Sequence, residues 1–145
     1  MTIWDWKQNK RKMLLCGRHD TPDAPLAFDG YSLLHGAYGI IGGWILGMAG
    51  LTDAEVILII ALGAVVWELV ENGFPAFFGP LFGLSDYTGD SGLNSVVDVL
   101  VGVAGGCFGL YVPEPASYIT GFVLLVAGLI FRFCCLGSAK TQPLI

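Results

Sequence analysis

Four long apolar runs separated by short connections constrain this chain more than any other feature. They cover residues 31–50, 55–72, 94–112 and 117–135. Each is roughly 18–20 residues long, enough at about 1.5 Å per residue to cross a hydrocarbon core of about 30 Å. Residues 56–66 and 121–130 carry no charge on any face, whereas a helix of a soluble bundle pairs an apolar stripe with a charged face. No segment alternates with the period of a strand, which argues against a barrel. The reading is an all-α polytopic membrane protein with four transmembrane helices. A basic and aromatic arm (1–30) leads into the four-helix domain (31–135), and a short tail (136–145) follows. Composition agrees: 13% of the 145 residues are charged, about half the share usual in soluble domains, and mean hydropathy is +0.69.

Basic residues set the expected orientation. Lys7, Lys10, Arg11, Lys12 and Arg18 precede the first run, Arg132 and Lys140 close the last, and no connection between runs holds Lys or Arg. The positive-inside rule then places both termini in the cytoplasm, with 73–92 inside and 51–53 and 113–116 outside. The first run begins too late, and lacks a small-residue cleavage site, for a secretory signal peptide. The expected location is a bacterial inner membrane, with a mitochondrial or other organelle inner membrane as the alternative. The net charge of −5 comes from acids spread along the chain, so it selects no partner, and no nucleic acid is expected. Cys16, Cys107, Cys134 and Cys135 have no zinc-type spacing and read as structural thiols, with acylation of Cys134 or Cys135 as a weaker option.

Against this background the stretch WELVENGF, residues 67–74, stands out. Glu68 and Glu71 lie three residues apart at the inner end of the second helix, followed by Asn72. The same topology brings His35, near the inner end of helix 1, to their depth, together with Asp90, Ser91, Asn94 and Asp98 at the start of helix 3. His35 continues at four-residue steps into Gly39, Gly43 and Gly47, and Asn94 and Asp98 continue into Gly102 and Gly106. Glycine rows let membrane helices approach closely, so these polar residues point at neighbouring helices. Ala61 and Ala64 keep the Glu68 side of helix 2 small. Asp90 or Ser91 suits an N-cap. The glutamates sit at a helix C-terminus, which the helix dipole disfavours, so they need a proton, cation or donor from His35, Asn72, Asn94 or a metal.

Three motifs carry a resemblance: Asp29-x-Tyr31-Ser32-x-x-His35-Gly36, then Trp67-Glu68-x-x-Glu71-Asn72, then Tyr87-x-Gly89-Asp90-Ser91-x-x-Asn94-Ser95-x-x-Asp98. In order and approximate spacing the chain resembles a small, uncharacterised family of proteobacterial inner-membrane proteins, over roughly residues 13–111. The resemblance implies a multi-helix membrane fold and brings no activity, cofactor or ligand set. The family's arginine-rich loop between the second and third motifs has no counterpart here, because residues 73–86 contain no arginine.

Several functions compete for the polar cluster. A structural hydrogen-bond network would fix helix register. A divalent metal would suit the His and carboxylate types, although the usual Glu-x-x-His pairing is absent. Proton or ion transport would use buried acids, but the outer halves of the helices offer no polar track. Hydrolysis through Ser91 or Ser95 with His35 lacks a nucleophile-elbow motif, and His35 is a lone candidate for a haem or pigment. Trp4 and Trp6 in the basic arm, and Phe74, Phe77 and Phe78 in the apolar connection, suit contact with the bilayer or with other membrane subunits. That connection either re-enters the membrane surface, presses on another protein or covers its own bundle. The functional expectation is a non-catalytic accessory subunit of a larger membrane complex; the alternative is a membrane-embedded enzyme or metal-binding protein. The cofactor stays open.

Overall fold

The computed structural model describes residues 27–82 and 89–139, with side chains over 27–80 and 89–130. The described residues are helical and contain no strand: α1 (Gly30–Met48), α2 (Asp53–Gly73), α3 (Pro75–Phe82), α4 (Gly92–Tyr111) and α5 (Ala116–Ala139). The four long helices coincide with the four apolar runs to within a few residues at each end. The basic arm with Trp4 and Trp6, the tail beyond 139, Tyr87 and the side chains of Arg132, Cys134 and Cys135 lie outside the described residues.

Local sequence starts each helix where it does. Asp29 caps α1 by accepting from the backbone N–H groups of Tyr31 and Ser32, and the Asp29 N–H donates to Ser32 Oγ. This capping box satisfies donors that a helix start leaves orphaned. Thr52 and Glu55 do the same for α2, with the Thr52 N–H donating to Glu55 Oε2 at 2.9 Å. Ser91 caps α4, accepting from the Asn94 N–H at 3.2 Å. The connection between α2 and α4 is not a plain loop, as the chain re-forms one short helix over Pro75–Phe82. Phe78 is buried there, edge-on to Trp67 with ring centroids 5.6 Å apart, while Phe74 and Phe77 stay exposed. Part of this aromatic segment therefore covers its own bundle, and part remains open to other contacts.

The helices pack around one pair. α1 and α4 run parallel in close contact, α5 lies antiparallel against α1, and α2 lies antiparallel mainly against α4. Glycine makes the central contact possible. A methyl group added at Gly39 would overlap the carbonyl oxygen of Gly102, and one at Gly43 would overlap that of Gly106. A second row interlocks beside the first: Gly105 meets the carbonyl of Gly36, and Gly109 meets that of Ile40. Gly47 faces the Leu110 side chain at the far end of the row. On the outer side, Gly121 and Gly128 of α5 accommodate Ile40 and Leu34 of α1.

By length and apolarity, α4 is the one described helix that qualifies as a candidate membrane span, and the apolar described part of α5 (Ala116–Ile130) is shorter. α1 contains His35 and the glycines that meet α4, and α2 contains Glu68 and Glu71.

The glycine contacts generate a graded expectation. Gly105→Ala and Gly39→Ala push a methyl into a backbone carbonyl and should each destabilise the protein by about 1–3 kcal/mol, the usual cost of overpacking. Gly63→Ala enters open space within a helix and should be neutral or gain up to about 1 kcal/mol. Unfolding of the three purified variants checks the order; equal stability of all three would show that the α1–α4 contact is looser than described.

Candidate functional site

The polar cluster forms where the first turns of α1, the last turns of α2 and the first turns of α4 meet. The register follows from the glycine rows. Gly39 lies against Gly102, so His35 and Asp98, one turn earlier on each parallel helix, come level. His35 Nε2 lies 3.7 Å from Asp98 Oδ2 and 3.4 Å from Glu68 Oε1, which enters from α2. Ligand-type atoms of these three residues all fall within 4.8 Å of one another. Glu68 and Asp98 are buried, at 6% and 1% exposure, and His35 is nearly so.

Neighbouring groups hold each carboxylate by one oxygen. The Ser32 hydroxyl donates to Asp98 Oδ1. The Asn72 amide donates to Glu68 Oε2 at 3.2 Å, and also to Glu68 O and to Ser95 Oγ. The oxygens left over, Asp98 Oδ2 and Glu68 Oε1, are the ones turned to His35. Glu68 Oε1 is buried with no hydrogen-bond partner, and so are both polar atoms of the Asn94 side chain, one turn before Asp98 on the same face of α4. Burying such atoms unpaired typically costs about 1–3 kcal/mol each.

The remaining residues form the rim. Asn72 Oδ1 accepts from the Asp90 backbone N–H, tying the end of α2 to the entry of α4. Gly89 makes this approach with a positive φ of 97°; a Cβ there would lie 3.1 Å from Asn72 Oδ1. Ser91 serves as the N-cap, which settles the choice between Asp90 and Ser91. Glu71 is buried beside Glu68 on α2.

Candidate residues thus fall into distinct places. His35, Glu68 and Asp98 converge, Asn72 braces Glu68, and Ser91 and Asp90 shape the helix entry. The role of Ser32 goes unread in the sequence, although its position three residues before His35 puts it on the same face. Ser95 Oγ accepts from the Asn72 amide at 3.2 Å. At the opposite end of the bundle, the Trp44 indole N–H donates to the Glu114 carboxylate, and Trp44 packs against Tyr118 at 6.0 Å between ring centroids. Comparison with protein-family models, curated proteins and solved structures finds no match.

Removing a carboxylate should expose the coupling. Asp98→Leu leaves the Ser32 hydroxyl without its acceptor, and Glu68→Leu deprives Asn72 of one; each should cost about 1–3 kcal/mol. Glu68→Gln keeps an oxygen for the Asn72 amide and should be milder. Unfolding midpoints of the three variants provide the comparison. A Gln variant as unstable as the Leu variant would mean that the second carboxylate oxygen, not the Asn72 bond, carries the stabilisation.

Proposed function

We propose that this chain is an integral membrane protein that crosses the bilayer four times with both termini in the cytoplasm, and that it serves as a non-catalytic accessory subunit of a larger membrane complex. One observation carries the membrane reading: the polarity of the bundle is inverted. Asn94, Asp98, Ser32 and Ser117 are among its largest fully buried side chains, while Leu62, Leu69, Leu100 and Phe122 are 56–69% exposed. In water this arrangement exposes far more contiguous apolar surface than a soluble monomer usually tolerates. In lipid it costs nothing on the outside, and small residues and polar contacts hold the inside together.

Further features support the reading. α4 has the length and apolarity of a span. The parallel α1–α4 pair with antiparallel α2 and α5 is the direction pattern that successive crossings require, and the one-sided Lys and Arg distribution fits cytoplasmic termini. The motif resemblance suggests a bacterial inner membrane. For an accessory role, the support is the open side of α2. Of its 21 residues only Val56, Glu68 and Glu71 are buried, and the exposed rings of Phe74 and Phe77 extend that face at its inner end. Such a face suits a neighbouring membrane subunit.

Cysteine labelling tests the topology. In a background with Cys16, Cys107, Cys134 and Cys135 replaced by Ser, an impermeant maleimide added to spheroplasts should label Ala54→Cys and spare Gly73→Cys, both at exposed positions. Inverted vesicles should give the opposite pattern. The reverse result would overturn the orientation, and release of the chain by an alkaline carbonate wash would overturn the membrane reading. Gentle-detergent purification addresses the accessory role separately: recovery of the chain alone would remove it.

A further inference from the structure

The cluster is built as ligand sites are built. Three helices each contribute one side chain, His35, Glu68 and Asp98, with ligand-type atoms within 4.8 Å of one another. Tetrahedral coordination at a bond length of about 2.1 Å needs ligand atoms about 3.4 Å apart. The separations from His35 Nε2 are 3.4 Å to Glu68 Oε1 and 3.7 Å to Asp98 Oδ2. Outer donors fix the far oxygens, Ser32 on Asp98 and Asn72 on Glu68, which is how ligating carboxylates are oriented in metal sites. Glu68 Oε1, aimed at the centre of the group and buried, has no hydrogen-bond partner.

Charge points the same way. Residues 20–131 contain no Lys or Arg, so among the described side chains no Lys or Arg meets Glu68 and Asp98. A protonated His35 would balance one of two ionised carboxylates and leave the other buried without a counter-charge, an expensive state. A divalent ion held by a neutral imidazole and two carboxylates closes the balance at zero.

We infer that His35, Glu68 and Asp98 bind one divalent first-row transition-metal ion between α1, α2 and α4. One nitrogen and two carboxylate oxygens fit Mn²⁺, Fe²⁺ or Zn²⁺. They do not fit Cu⁺, which prefers sulfur ligands, or Ca²⁺ and Mg²⁺, which prefer oxygen alone. Water completes the coordination. The inference is independent of whether the bundle lies in a membrane and of any subunit role.

The test is metal titration of the full chain in detergent, purified without a polyhistidine tag and stripped with chelator. Bound Mn²⁺, Fe²⁺ and Zn²⁺ are counted by elemental analysis. The expected result is one ion per chain for at least one of the three. X-ray absorption of that loaded wild-type chain should show a nitrogen and oxygen shell at about 2.0–2.2 Å without sulfur. Glu68→Gln and Asp98→Asn should lose saturable binding, Ser32→Ala should weaken it about 10–100-fold, and Glu55→Gln, at the other end of α2, should leave it unchanged. A folded wild-type chain that takes up none of the three ions overturns the inference, as does a sulfur shell or binding that persists in Glu68→Gln. The wild-type measurements decide the matter even where a variant fails to fold.

Discussion

Backbone contact between α1 and α4 is the constraint on which the rest of the bundle depends. Two helices approach this closely only where both give up side chains. Here the demand is mutual, with Gly39 and Gly43 meeting backbone of α4, and Gly105 and Gly109 meeting backbone of α1. Because glycine lacks a Cβ, the contact is between peptide groups, with little freedom to slide. One register follows, and the next turn of the same rows brings His35 level with Asp98. The polar cluster is a consequence of the glycine packing as much as a separate device.

That coupling explains why the polar residues sit where they do. A buried Asp or Glu is costly anywhere and more so in an apolar surrounding. It persists here because rigid backbone delivers Ser32 to Asp98 and Asn72 to Glu68 with little further side-chain ordering. The hydrogen bonds are unequal in what they achieve. They satisfy one oxygen of each carboxylate and leave Glu68 Oε1 buried without a hydrogen-bond partner, turned toward His35.

Much of this was legible in the sequence, for physical reasons that differ by feature. The helices were readable because uninterrupted apolar length is a strong signal, and the α4 cap because Asp90 and Ser91 are short acceptors before such a run; the caps at Asp29 and Thr52 went unread. The row through His35 and the row through Asp98 were readable because a four-residue step stays near one face. The second row, Gly36 and Ile40 against Gly105 and Gly109, was harder. Adjacent glycines at 105 and 106 point to different faces, and sequence alone does not say how many faces are in contact. The helix over Pro75–Phe82 was hidden by its two prolines and its shortness, although Pro in a first helical turn is well tolerated. The Asn72 brace on Glu68 was readable as a four-residue step within α2, whereas the Ser32 brace on Asp98 was not, since it depends on the contact between α1 and α4.

α2 shows how the two kinds of interaction divide the work. Toward its start it meets the central pair through Val56 and Ile60, whose side chain approaches Gly106 and Gly42. Beyond that point no described residue of α2 before Glu68 is buried. Its other end is held by Glu68, Glu71 and Asn72, all polar, so the position of α2 depends on the cluster in a way that the α1–α4 and α1–α5 contacts do not. An ion bound by His35, Glu68 and Asp98 would fasten α2 to the glycine-packed pair and set the orientation of its long exposed face. The proposed metal and the proposed subunit contact would then act in series: coordination at the inner end positions the surface that a neighbouring subunit meets.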